Sequence, residues 1–270
     1  MSAGNFISES WKEQEKCFFE NLGIIRQRPT KKSVHDLRVS VKKIRSFLRL
    51  QEKITGEKWQ EEFEPVKILF KISGKQRDFE MSLTLLSKYQ RKGNQSLPTF
   101  KKFLQLNKSF TLQNTKKAIF DFHDKELSHF TNNSYESLAL FTNDELIRNI
   151  KKYAALVFDK AVDYTKDINE NAHEIRKLLK DIYYWLIICP SNPAQNLIEI
   201  KQLTKILQHL GDWQDNFIFH KKLKYFRKEY LVNNTSEAEA VAGLEIKIKM
   251  KKDALLKKAK EILEKTIERK

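Results

Sequence analysis

Glycine, proline and cysteine are all scarce in this sequence. The 270 residues include 7 Gly and 5 Pro, well below the averages of ~7% and ~5% in soluble proteins. Folds with many strands need such residues in their turns, so this scarcity predicts an all-α protein. The two cysteines, Cys17 and Cys189, lie far apart in the chain. They form neither a disulfide framework nor a CxxC zinc site, a usage typical of a reducing compartment.

No apolar run is long enough to predict a membrane span. The longest, from Tyr183 to Cys189, has seven residues, against the ~20 that a spanning helix needs. The first ten residues also lack the basic and then apolar pattern of a secretory signal. We therefore expect a cytoplasmic protein without a membrane partner.

Acidic residues are too few to balance the basic ones. The chain has 51 Lys plus Arg against 35 Asp plus Glu, a formal net charge of +16. It also has 40% hydrophobic residues, including 18 Phe, which is enough for a folded core. Because excess positive charge opposes compactness, it usually indicates a polyanionic partner. Nucleic acid, anionic lipid and a phosphate polymer all fit this composition.

Candidate helix breaks are few and evenly spread. They fall near residues 28–30, 93–98, 131–134, 189–193 and 233–236. Between them the apolar residues recur at helical spacing, which predicts about eight helices, four before about residue 140 and four after it. We interpret residues 1–140 and 141–270 as two four-helix halves that together form one domain.

Two sequence landmarks occur in both halves at nearly the same separation. His35-Asp36-Leu37-Arg38 with Lys42 matches His173-Glu174-Ile175-Arg176 with Lys180. Gly74-Lys75-Gln76-Arg77-Asp78 matches Gly211-Asp212-Trp213-Gln214-Asp215. Ser33 and Asn171 are predicted as the N-caps of the two matching helices, each followed three residues later by an acid. The pattern indicates an internal duplication.

A row of basic residues follows one side of the helix predicted after Ser33. Its members are His35, Arg38, Lys42, Arg45 and Arg49. The row spans ~21 Å of helix, and no acid after Asp36 relieves its like-charge repulsion, worth ~0.2–0.5 kcal/mol per pair. Because arginine binds phosphate oxygens through a planar donor group, the row suits a linear polyanion. A solvated basic face, or pairing with acids on neighbouring helices, is the alternative.

The second half repeats only the start of this row. His173, Arg176 and Lys180 are present, but Tyr183 and Ile187 occupy the positions that match Arg45 and Arg49. Four further lysines are candidates for a second wall of the binding region, although such pairs also fit plain surface positions: Lys67, Lys71, Lys201 and Lys205. We expect Asp78 and Asp215 to hold cationic residues in position rather than to act as catalysts.

The repeated H-x-L/I-R-x-x-x-K helix, with a Gly and an Asp downstream of each copy, resembles the CHAD domain, the conserved histidine α-helical domain. The resemblance covers about residues 5–268. It implies two four-helix bundles related by pseudo-twofold symmetry around a basic cavity that binds inorganic polyphosphate and can direct the protein to polyphosphate granules. The positions that it implies for binding are His35, Arg38, Lys42, Arg45, Arg49, His173, Arg176 and Lys180. The triphosphate tunnel domain that often precedes this family's domain is not expected, because the first bundle begins within ten residues of the start.

Other function classes fit the sequence less well. His35-Asp36 and His123-Asp124 could indicate a metal-dependent phosphohydrolase of the HD type, but the nearby cations would repel a metal ion. No phosphate-binding loop, HExxH or GxSxG motif is present. We therefore expect a non-catalytic protein with no cofactor and no metal. RNA or DNA binding is the main alternative, and a helical scaffold is the remaining one.

Overall fold

A computed structural model of the chain describes residues 5–58, 63–93, 96–125, 137, 140–190, 197–231 and 236–267. All regular structure within these ranges is helical, so the prediction of an all-α protein is confirmed. The helices are α1 (Phe6–Gln27), α2 (Lys31–Thr55), α3 (Glu64–Gly93), α4 (Pro98–Phe120), α5 (Asn143–Asp163), α6 (Ile168–Ile188), α7 (Ile200–Glu229) and α8 (Ser236–Ile267). A short 3-10 helix, Tyr164–Asp167, joins α5 to α6. The predicted break at 131–134 lies outside the described residues.

The two predicted N-caps are wrong. Helix α2 begins earlier, because the Thr30 side chain accepts a hydrogen bond from the Ser33 backbone nitrogen at 3.0 Å and the Ser33 hydroxyl accepts one from the Thr30 nitrogen. This reciprocal pair is a capping box, so Ser33 is the third residue of the helix rather than its cap. Asn171 lies inside α6, because the 3-10 helix leads the chain into α6 at Ile168.

Helices that the sequence matched across the two halves contact each other. Helix α2 packs against α6, and α3 packs against α7. Each also packs against its neighbours in sequence, most extensively α1 with α2, α3 with α4 and α7 with α8. The structure therefore places the two helices of the His-x-x-Arg motif side by side.

Two hydrophobic clusters hold the helices together, and each takes residues from both sides of residue 140. The larger contains Trp11, Phe47, Phe158 and Trp185, which are at most 1% exposed. The smaller lies where α3, α4, α7 and α8 meet, around Phe100, Phe219 and Phe226. Burying side chains of this size contributes about 1.5–3 kcal/mol each. The long helices α3 and α7 contribute to both clusters.

The apolar residues of α2 form a buried stripe. Val34, Leu37, Val41 and Ile44 are at most 3% exposed and belong to the larger cluster. Because the basic row borders this stripe on the helix surface, burial of the stripe brings the basic side chains to the edge of the core, facing α3 and α6.

Candidate functional site

A cavity of about 400 Å³ lies between α2, α3, α6 and α7. Its wall includes eight lysine and arginine side chains, and all four helices contribute to it. The basic residues are Arg38, Lys42, Arg45, Arg49, Arg77, Arg176, Lys177 and Lys180. Asp78 and Asp181 are the acidic residues in the wall that the structure describes. This part of the cavity is therefore strongly positive.

Seven of the eight sequence-predicted binding residues line the cavity, and the exception is His35. His35 lies four residues inside α2 and is exposed, with its imidazole outside the cavity wall. His173 does line the cavity, where its Nδ1 lies 3.0 Å from Oε1 of Gln214. The two histidines of the repeated motif therefore differ in position.

The four lysines predicted as a second wall are not in the cavity wall. Lys67 forms an ion pair with Glu64 at 3.0 Å on the same helix. Lys71, Lys201 and Lys205 are exposed on the surface of their helices. Lysine pairs one turn apart on an exposed helix face are common, which explains why this spacing did not identify cavity residues.

Arg38 joins α2 to α3 through side-chain contacts. Its Nη1 donates hydrogen bonds to the Phe70 carbonyl oxygen and, at 3.2 Å, to the Ser73 hydroxyl. The guanidinium also lies 4.1 Å from the centre of the Phe70 ring, a cation–π contact. A Cβ atom at Gly74 would lie 3.0 Å from Arg38 Nη1, so glycine leaves the space that this arginine fills. Arg38 lines the cavity, but it is only 9% exposed. Its guanidinium mainly contacts protein atoms of α3.

Two other arginines of the cavity are paired with carboxylates. Arg49 donates from Nε to Asp181 Oδ2 at 2.6 Å and from Nη2 to Asp181 Oδ1. Arg77 lies 2.7 Å from Asp215 and 3.4 Å from Asp78. The pKa of Arg77 is raised, because the two carboxylates outweigh the effect of burial. The expectation that Asp78 and Asp215 hold a cation in position agrees with this geometry.

Four cationic side chains of the wall have neither an ion-pair partner nor a hydrogen bond to a main-chain oxygen in the part of the chain that the structure describes. They are Lys42, Arg45, Arg176 and Lys180. The Nε atom of Arg176 is buried and has no hydrogen-bond acceptor there. Lys180 Nζ donates a long hydrogen bond of 3.4 Å to the Tyr184 hydroxyl, which is neutral. Since buried charged groups are normally paired, these four side chains can accept an external anion.

Burial lowers the pKa values of these cations, and for most of them crowding with other cations adds to the effect. The pKa of Lys42 is lowered to about 6. Burial is the main cause, and the positive charges of Lys180 and Arg38 lower it further. The pKa of Lys180 falls to about 8, because of burial and the charge of Arg176. The pKa values of Arg45 and Arg176 are also lowered, mainly by burial. An anion in the cavity would oppose each of these shifts.

The aromatic residues Phe70 and Tyr184 of the wall contact cationic side chains. Arg38 covers the Phe70 ring, and the Lys180 nitrogen lies 5.5 Å from the centre of the Tyr184 ring. Burial raises the pKa of Tyr184 to about 12, so its hydroxyl stays protonated at neutral pH. A nucleobase would need an open ring face for stacking, and Tyr184 is only 6% exposed.

The His-Asp pairs that suggested a phosphohydrolase are not arranged as a metal centre. Asp124 forms an ion pair with Arg26 at 2.8 Å, and His123 is exposed. Among the residues that the structure describes, no group of three or more His, Cys, Asp or Glu side chains could hold a metal ion. Those residues also include no helix with the length and hydropathy of a membrane span.

Comparison with known proteins identifies the family. The family model for the CHAD domain matches residues 16–224, which is more than half of the chain and contains every cavity residue named above. The chain belongs to the CHAD domain family. This result confirms the resemblance that the repeated motif indicated.

A solved CHAD domain has the same fold. The crystal structure of the CHAD domain from the plant Ricinus communis matches this CHAD chain with a TM-score of 0.73 and 16% sequence identity. The match covers 98% of this chain and 93% of the plant chain. No curated protein matches the chain. At this level of identity the comparison establishes the fold alone.

Sequence reasoning missed several cavity residues of this CHAD chain as binding candidates: Phe70, Arg77, Lys177, Tyr184, Gln214 and Ile218. Arg77 and Gln214 occupy matching positions in the repeated Gly-to-Asp segments, so a signal was present. Their neighbours Asp78 and Asp215 are identical in both copies, so the repeat marks those positions more clearly. Tyr184 and Lys177 lie beside motif residues on α6, and no spacing rule marked them.

Proposed function

We propose that the cavity binds inorganic polyphosphate without chemically changing it. The observation that carries this proposal is a group of four cations, Lys42 and Arg45 from α2 with Arg176 and Lys180 from α6. Among the described residues these four have neither an ion-pair partner nor a hydrogen bond to a main-chain oxygen. A phosphate chain supplies closely spaced charged oxygens and no bases. It therefore needs a receptor rich in charged donors, and base-edge contacts or stacking surfaces are not required.

Membership of the CHAD family supports the same proposal, since the resemblance implies polyphosphate as the ligand. The buried Nε of Arg176 supports it further, because a phosphate oxygen is a suitable acceptor for this unsatisfied donor. In this proposal Arg38, Arg49 and Arg77 shape the cavity and add to its field. Each of them already donates to protein oxygens, so they are not the first groups to bind a ligand.

We also propose that the two halves, 1–140 and 141–270, are copies that form one binding unit. The contacts of α2 with α6 and of α3 with α7 support this proposal, because each joins a helix to its counterpart. Asp78 and Asp215, which occupy matching positions, share the guanidinium of Arg77. A cavity between matched helices would let both halves contact one phosphate chain, although unequally.

The main test is a binding titration with long-chain polyphosphate, duplex DNA, single-stranded RNA and ATP at two salt concentrations. Two salts are needed, because any basic protein binds polyanions when counterions are scarce. The wild type is compared with Lys42→Gln/Lys180→Gln, which removes two unpaired cavity charges. Lys201→Gln/Lys205→Gln is the matched control, since it removes the same charge from exposed positions outside the cavity.

We expect polyphosphate to bind most tightly at physiological salt, and the cavity variant to lose at least about tenfold in affinity while the control binds like the wild type. The slope of log K against log salt should also become shallower in the cavity variant by about one to two units. Equal binding of DNA or RNA, with both variants alike, would contradict the proposal and favour the nucleic-acid alternative.

Two further parts of the proposal have their own tests. Incubation of the protein with polyphosphate should release no orthophosphate, as expected of a binding protein that is not an enzyme. We propose a cytoplasmic location on polyphosphate granules, so a fluorescent fusion should coincide with granules in cells that make them. The Lys42→Gln/Lys180→Gln fusion should be diffuse at the same expression level.

A further inference from the structure

A carboxylate lies in the wall of this positive cavity. Asp181, on α6, is 6% exposed and faces the cavity beside Arg49 and Tyr184. Its position is fixed by the packing of α6 against α2. The Ser46 hydroxyl donates to the Asp181 backbone carbonyl oxygen at 3.3 Å, and Trp185 Nε1 donates to the Ser46 carbonyl oxygen at 2.9 Å. The main chain at Asp181 is therefore held in place against α2, where Arg49 lies.

Asp181 binds Arg49 in the way that a phosphate would. Two parallel hydrogen bonds join the guanidinium to the two carboxylate oxygens, one of them 2.6 Å long. This two-point contact is the strongest that arginine makes with either a carboxylate or a phosphate. Because Nε and Nη2 of Arg49 are both engaged, a ligand must either displace Asp181 or bind the remaining edge of the guanidinium.

Asp181 also acts on the rest of the cavity through its charge. Arg45 lies near enough for the Asp181 carboxylate to oppose the lowering of the Arg45 pKa. Burial raises the pKa of Asp181, and the hydrogen bonds from Arg49 work against that rise. A bound polyanion therefore meets a negative charge at the end of the cavity that Arg45 and Arg49 form.

We propose that Asp181 is an affinity-determining residue, an internal counter-ion that competes with the ligand for Arg49. This inference rests on the proposed polyphosphate binding. Its consequence is that the natural site binds less tightly than its basic residues allow. The pairing supplies hydrogen-bond acceptors to Arg49 when no ligand is bound. It also reduces the positive potential in the cavity, which attracts an anion. Removal of the carboxylate charge should therefore strengthen binding.

The test measures polyphosphate affinity at physiological salt for Asp181→Asn, Arg49→Gln and the double variant. We expect Asp181→Asn to bind about tenfold more tightly than the wild type, a change equivalent to about 1.4 kcal/mol. Arg49→Gln should bind more weakly, because it leaves Asp181 unpaired and facing the ligand. The double variant should return close to the wild type.

Asp163→Asn is the matched charge control. Asp163 is exposed at the end of α5, where it pairs with Lys166, and it does not line the cavity. This substitution changes the net charge as Asp181→Asn does, but it should leave affinity unchanged. An equal gain in both variants would overturn the proposal, because the effect would then arise from net charge alone.

Unchanged or weaker binding by Asp181→Asn would also overturn the proposal, since Asp181 would then serve to hold Arg49 in place for the ligand.

Thermal unfolding establishes that each variant is folded. If Asp181→Asn does not fold, the double variant is compared with Arg49→Gln. Tighter binding by the double variant supports the proposal, and equal binding overturns it. Failure of the wild type itself to bind polyphosphate would instead contradict the proposed function, and this inference with it.

Discussion

Arg77 on α3 and Asp215 on α7 form an ion pair of 2.7 Å across the cavity wall. The same guanidinium lies 3.4 Å from Asp78 on its own helix. One arginine therefore links the two aspartates that occupy matching positions in the repeated segments. The position in α7 that matches Arg77 holds Gln214, which contacts His173 instead. Among the described residues, a bridging cation therefore occupies one of these two matching positions and an uncharged amide the other.

Asp215→Asn should destabilise the protein by ~1–3 kcal/mol. The substitution leaves Arg77 with a weaker partner in a partly buried place, and the ion pair is one of the contacts that join α3 to α7. Urea unfolding at neutral pH measures the change. The exposed pair of Asp163 with Lys166 provides the control, since Asp163→Asn should change stability by less than ~0.5 kcal/mol. Equal effects would show that Arg77 does not depend on Asp215.

The matched glycines Gly74 and Gly211 should respond oppositely to alanine. Gly211 lies inside α7 with nothing within 4 Å of an added Cβ atom, so Gly211→Ala should stabilise the protein by ~0.5–1 kcal/mol through helix propensity. Gly74→Ala would place its Cβ 3.0 Å from Arg38 Nη1. The guanidinium would then have to move away from the Phe70 carbonyl oxygen.

We therefore expect Gly74→Ala to lower the melting temperature, while Gly211→Ala raises it. Differential scanning calorimetry on the two variants measures both changes under one condition. An equal increase in melting temperature in both variants would mean that the Arg38 side chain moves without loss of stability. It would contradict the role of Arg38 in joining α2 to α3.

Lys42→Met should make the folded protein more stable and its binding weaker. The pKa of Lys42 is about 6 in the folded protein, against an ordinary value of 10.5. The unfolded chain therefore binds more protons between these values, and this group makes stability rise with pH through that window. At pH 7 the variant should gain ~1–3 kcal/mol over the wild type, since the wild-type lysine must either release its proton or bury its charge when the chain folds.

The pH dependence of this gain identifies its cause. The advantage of Lys42→Met should shrink as the pH rises from 7 toward 10, because the unfolded lysine also loses its proton. Chemical unfolding at several pH values measures it. A gain that does not change with pH would indicate better packing by methionine instead of removal of a charge.

Polyphosphate binding should take up protons. Lys42 and Lys180, with pKa values of about 6 and about 8, are partly neutral in the empty cavity near pH 7. Phosphate charges raise both values, so affinity should fall as the pH increases from about 6 to about 8. Calorimetric titrations in two buffers with different ionisation enthalpies count the protons. Lys42→Arg should reduce the uptake, because arginine keeps its proton. Equal uptake in the variant would show that Lys42 is not the group that titrates.

The sequence predicted the helical class, the approximate helix positions in the described ranges, and the side of α2 and α6 on which the basic residues lie. These features depend on neighbours three or four residues apart, so periodicity is sufficient to predict them. The repeated motif also led to the CHAD family. Seven of its eight predicted positions lie in the cavity wall.

The tertiary structure alone decided which of these cations have partners. Arg38 is bound to a carbonyl oxygen of α3, and Arg49 to Asp181 of α6, whereas Lys42 and Arg176 form no ion pair among the described residues. The basic row on α2 contains no acid beyond Asp36. The carboxylate that reduces its charge repulsion, Asp181, lies on a helix more than a hundred residues away in the chain. A partner of this kind depends on the register of two helices that face each other. Local spacing fixes the direction of a side chain but carries no information about that register.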